Sequence, residues 1–110
     1  MADRNEHEFT DFPIEYFNDT GTDDEALRGE AETRLRSLAR GHQDIVGASV
    51  KITQPAQRRD NVYEATVTLY MRPNNIASNE VGGIPLATLK QALDEVERRA
   101  RTQREKLRGY

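Results

Sequence analysis

The chain has 110 residues, 35% hydrophobic, 32% charged and 6% aromatic, with no cysteine and no tryptophan. That length suits one domain with a modest core, and so polar a composition points to a large solvent-facing fraction. Absence of cysteine excludes a disulfide scaffold, a thiolate metal site and a thiol nucleophile. No apolar run approaches the ~18 residues of a membrane span, and no basic-then-apolar start reads as a signal peptide. The expectation is a soluble cytoplasmic protein with no membrane partner.

A net charge of −3 hides a polarity along the chain. Residues 1–25 hold nine acids and one base, a balance of −8; the remaining 15 bases and 10 acids leave +5 for residues 26–110. A phosphate backbone senses the local field of a basic face rather than the whole-chain sum. A polyanionic partner is therefore compatible with a pI near 5.4.

Residues 1–11 are polar and aperiodic and read as an acidic mobile arm ahead of a single domain over residues 12–110. Pro13 to Phe17 is short, aromatic and alternating, a first strand, and Asn18 to Gly21 is a turn. Thr22-Asp23-Asp24-Glu25 matches a capping box with Thr22 as N-cap. Leu27, Ala31, Leu35 and Leu38 then mark one helical face, which Arg40 and Gly41 stop. The period changes to two at Val46, Ala48, Val50 and Ile52, and again at Tyr63, Ala65, Val67, Leu69 and Met71. Between these strands runs a polar loop carrying Arg58 and Arg59. Ile76 to Val81 is a weaker fourth strand closed by Gly82-Gly83. Pro85 suits a first helical position. From there Leu86, Leu89, Leu93, Val96, Ala100 and Leu107 form the stripe of one amphipathic helix of about twenty residues.

The order β-α-β-β-β-α predicts an α+β fold, a four-stranded, mostly antiparallel sheet with both helices packed on one face. The expected core includes Leu35, Leu38, Val50, Ile52, Val67, Leu69, Leu89, Leu93 and Val96. The opposite sheet face, with Ser49, Lys51, Thr53, Glu64, Thr66, Thr68 and Tyr70, should stay wet.

Catalytic constellations are nearly missing. His7 and His42 are the two imidazoles, neither has metal-ligand spacing, and no nucleophile accompanies them. His42 reads as a surface-loop residue. Gly82-Gly83 lacks the Lys-Ser/Thr of a phosphate loop. The expectation is a protein that is not an enzyme, with no cofactor, no metal and no small-molecule substrate.

What stands out is a basic last helix, where Arg98, Arg99, Arg101, Arg104, Lys106 and Arg108 crowd the second half. Arg101, Arg104 and Arg108 share one stripe, and Glu97 can pair with Arg101 at i, i+4. Arg34, Arg36 and Arg40 make the first helix basic at its end too. Cations also suit helix C-termini for dipole reasons, and charged faces are commonly just solvated. Two functional readings stay open at this point. Arg34, Arg36, Arg40, Arg98, Arg101, Arg104 and Arg108 contact RNA phosphates, or the same face docks an acidic protein partner.

The chain also resembles the ribosome hibernation-promoting factor family, known too as protein Y or ribosome-associated inhibitor. The segments carrying the likeness are Arg34-Leu35-Arg36-Ser37-Leu38-Ala39-Arg40, Ile45-Val46-Gly47-Ala48-Ser49-Val50, Val62-Tyr63-Glu64-Ala65-Thr66-Val67-Thr68-Leu69 and Leu89 to Ala100 with Arg104 to Arg108. The resemblance implies a translation inhibitor that enters the small ribosomal subunit's channel, its helices facing ribosomal RNA. By motif position it implies RNA contact for Arg34, Arg40, Arg98, Arg101 and Arg104. Five phosphate contacts predict a log–log salt slope on the order of −4.

Overall fold

The computed structural model describes residues 12–55 and 62–108. The arm over residues 1–11 and the Arg58-Arg59 segment lie outside the described residues. Period-two alternation builds β2 (Ile45–Thr53) and β3 (Tyr63–Met71), an antiparallel pair with Val50 opposite Val67 and Ile52 opposite Ala65. β4 (Ile76–Gly82) joins β3 antiparallel, and β1 (Ile14–Asn18) joins β2 in parallel, so the sheet order is β1-β2-β3-β4. A tight turn cannot close a parallel pair. The helix α1 (Asp24–Ala39) supplies the crossover, and α2 (Pro85–Arg108) follows β4. α1 lies over β1 and β2, α2 lies over β3 and β4, and the two helices touch.

Leu27, Ala31 and Leu35 of α1 share one buried cluster with Leu89, Leu93 and Val96 of α2 and with Val50, Ile52, Val67 and Leu69 of the sheet. Each large aliphatic taken out of water contributes roughly 1.5–3 kcal/mol. Both helices therefore cover the same face. Leu38, expected in the core, is half-buried at its edge. Ser78 Oγ donates to Ala92 O at 2.7 Å inside this layer, tying β4 to α2. Gly82 is required by close approach. A Cβ there would stand 2.5 Å from Thr88 Oγ1, which is buried and already donates to Ile84 O.

Three local expectations change. Thr22 does not cap α1: the cap residue is Asp23, with φ of 50° and no side-chain cap bond, and the Thr22 hydroxyl is buried without a partner among the described residues. Asn18, at the end of β1, organises the turn instead. Its Oδ1 accepts from Thr20 N at 3.0 Å, and its Nδ2 donates to Thr22 O and Asp24 Oδ1, each at 3.2 Å. An Asx turn anchored on the strand wins over the local capping box because the crossover must start from β1.

The second change is in β2. A register irregularity between Ile45 and Gly47 buries Ile45 and turns Val46 out, leaving it 47% exposed. A bulge of this kind shifts the inward set by one residue, which alternation cannot foresee. Third, α2 runs 24 residues, and its apolar stripe outlasts its support: Ala100 is fully buried, whereas Leu107, two turns on, is 58% exposed. The C-terminal stop of α1 is as expected, with the Arg40 amide donating to Arg36 O and Ser37 O and Gly41 following at φ of 76°.

Candidate nucleic-acid interface

Because α1 and α2 lie side by side over one sheet face, their flanks form a seam, and acids from each side reach cations on the other. Arg34 of α1 spans it: Nη2 donates to Asp94 Oδ1 at 2.6 Å and Glu97 Oε1 at 3.4 Å, while Nη1 meets Glu30 Oε2 at 3.5 Å. Burial disfavours its charge, but Asp94, Glu97 and Glu30 outweigh that and push its pKa up. Further along, Arg104 of α2 grips Asp44, just beyond α1, with Nε to Oδ2 at 3.1 Å and Nη2 to Oδ1 at 3.3 Å. That two-point bond is the main reason the Asp44 carboxyl lies below its ordinary value. Glu97 turns to Arg34 across the seam rather than to Arg101 along the helix.

Outward of the seam the arginines differ in their commitments. Arg98 and Arg99 share Glu95, one turn earlier, which lowers that carboxyl's pKa through their hydrogen bonds. Arg99 also donates to Ala77 O at 2.8 Å and Gln103 to Asn74 O at 3.3 Å, closing part of the outer edge of β4 and its turn. Arg36 donates to Phe12 O at 3.1 Å, pinning the chain just ahead of β1. Arg40 is exposed at the end of α1. Arg101 and Lys106 are exposed and make no ion pair or hydrogen bond among the described residues. Arg108 ends α2, and its side chain lies outside the described part.

Of the seven arginines singled out from sequence, Arg34 and Arg104 are thus built into the seam, whereas Arg40, Arg98 and Arg101 face solvent near the distal end of the helix layer. Fixed guanidinium planes and exposed cations suit phosphate. Sequence reasoning missed Asp44, Asp94 and Glu97 as partners. Arg34 and Asp94 are 60 residues apart, and no spacing rule joins them. The Glu95 pairs, at i+3 and i+4, were readable from spacing.

Two hollows flank the end of α2. One, of about 640 Å³, lies between the loop Gly41–Asp44 and Arg101, Arg104 and Leu107. The other, of about 390 Å³, lies on the opposite flank against Pro73, Asn74 and Ile76. No group of three or more metal-ligating side chains occurs among the described residues, and no helix among them is long and apolar enough to cross a membrane.

No protein-family model matches the chain, and no curated protein matches it. Solved structures do. A ribosomal subunit interface protein from Coxiella burnetii superimposes with a TM-score of 0.69 at 11% identity, over 84% of this chain and 98% of that one. The protein Y N-terminal domain of Thermus thermophilus superimposes with a TM-score of 0.62 at 18% identity, over 88% of this chain and 97% of that one. This chain has their fold. At these identities the likeness is one of architecture. It matches the resemblance to hibernation-promoting factors seen in the sequence segments.

Proposed function

We propose that the chain is a ribosome-associated translation inhibitor that binds small-subunit ribosomal RNA through the distal end of its helix layer. It acts in the cytoplasm by occupying RNA surface that translation needs, and it catalyses no reaction. One observation carries the reading. Arg101, exposed and without an intramolecular partner among the described residues, stands in the same helix layer as Arg40, Arg98 and Lys106. The fold it stands on is shared with a protein named for the ribosomal subunit interface. Phosphate contacts of this kind position a protein without reading sequence.

The seam changes the expected salt dependence. Arg34, Arg98 and Arg104 have carboxylate partners and release few counterions. Contacts from Arg101 and Lys106, exposed and without such a partner among the described residues, give a log–log slope of about −2. Co-sedimentation with small subunits over a salt series measures it. Arg101→Gln should flatten the slope by about one unit, and Lys51→Gln, on the open sheet face, should leave it unchanged. If Lys51→Gln weakens binding and Arg101→Gln does not, the sheet face is the interface. If the protein ignores small subunits even at low salt, the same face docks an acidic protein partner instead.

A further inference from the structure

The hollow between the end of α1 and the end of α2 differs chemically from the exposed cations around it. We infer that it is a slot for one unpaired RNA base, with the adjoining phosphate held by Arg101. This rests on the RNA-binding reading above and adds to it a preference for single-stranded over duplex RNA. The hollow's volume, about 640 Å³, falls within the ~300–1,000 Å³ range of clefts that take small ligands. Its lining combines His42, Asp44, Arg101, Arg104 and Leu107.

Charge argues for a base inside rather than a phosphate. Arg104 is the recessed cation, its side chain 19% exposed, and its charge is matched by Asp44 through the two-point bond. The loop also follows the C-terminal end of α1, the negative end of that helix's dipole. A phosphate pushed inward would meet the Asp44 carboxylate. A nucleobase meets a guanidinium plane held in place by that carboxylate, an imidazole and the apolar Leu107, and Asp44 lies within the same lining to accept from a base amino group. Arg101, exposed and unpaired among the described residues, is the group left for the backbone. In a duplex, bases are stacked inside and cannot enter. Loops and bulges present them.

The test uses the full chain and a fluorescently labelled octamer of unpaired RNA, compared with an abasic octamer of equal charge and a hairpin duplex. The unpaired RNA should bind about tenfold tighter than the abasic one, as stacking on one platform typically provides. His42→Ala should remove most of that difference and leave the salt slope alone, since stacking releases no counterions. Arg104→Lys should do the same while preserving charge. Arg101→Gln should weaken both octamers equally and flatten both slopes. Equal affinity for all three RNAs, or a base preference untouched by His42→Ala and Arg104→Lys, overturns the slot. If Arg101-dependent binding to small subunits persists in that case, the ribosomal reading stands and the slot alone falls. If neither RNA nor subunits bind at low salt, both fall together.

Discussion

Within α2, one helix passes through two environments. From Leu89 to Ala100 its inner face is fully or almost fully buried at Leu89, Ala92, Leu93, Val96 and Ala100. Beyond Ala100 the same face passes to Gln103 and Arg104, held by Asn74 and Asp44, and then to Leu107, more than half exposed among cationic side chains. The stripe is continuous in sequence, so amphipathicity alone does not separate the two regions. Support from beneath does. The first region contributes stability and the second offers charge, so substitutions in them should affect different measurements.

The largest effect belongs to the buried region. Leu93→Ala should lower unfolding free energy by about 2–5 kcal/mol through the cavity it leaves, measured by denaturant titration, with the salt slope of subunit binding unchanged in the folded fraction. A cost under ~1 kcal/mol would mean that α2 is loosely seated and the two regions are not distinct.

Next comes the turn that sets where α2 starts. Gly82→Ala places a methyl group against Thr88 Oγ1 and should cost about 1–3 kcal/mol by overpacking. Adding Thr88→Ala should recover part of that loss, because the crowding atom is then gone. A Gly82→Ala protein as stable as the wild type would show that Thr88 turns aside freely.

The link between the regions is the Arg104–Asp44 pair. Asp44→Asn should cost on the order of 1 kcal/mol near neutral pH, since the groups are partly exposed and the bond is screened by solvent. The Asp44 pKa is lowered in the folded state, chiefly by the Arg104 hydrogen bond, from an ordinary value of 3.8. Its contribution is therefore fully present above that value and disappears as pH falls through the lower folded pKa. The stability gap between wild type and Asp44→Asn should close on acidification. A gap that stays constant with pH would assign the effect to packing.

The smallest effect on stability, and the sharpest on binding, is at Arg101. Arg101→Gln should leave unfolding free energy within ~0.5 kcal/mol of wild type, as for surface positions without partners. Its effect appears in the salt slope. A destabilisation comparable to that of Asp44→Asn would show that Arg101 belongs to the seam rather than to the exposed set.

Local patterns determined a good deal of this molecule. The period-two runs of Val50 and Ile52 and of Ala65, Val67 and Leu69 specify two half-buried strands, because alternation is a property of extended backbone. Leu89, Leu93 and Val96 specify a helix with one buried face for the corresponding reason, and Gly41 ends α1 where a left-handed residue was required. The basic end of α2 was equally legible as composition. The tertiary structure alone decided which of those charges are paired. Asp44, Asp94 and Glu97 neutralise Arg104 and Arg34 because two helices were laid flank to flank on one sheet, a juxtaposition that no spacing along the chain encodes. The crossover from β1 moved the α1 cap from Thr22 to Asp23, in a turn held by Asn18, and Leu107 was left beyond the layer beneath. Val46 turned outward for a related reason, a bulge in strand pairing. Periodicity reports what a segment is locally. Which cation is held and which is available depends on the partner that folding brings alongside.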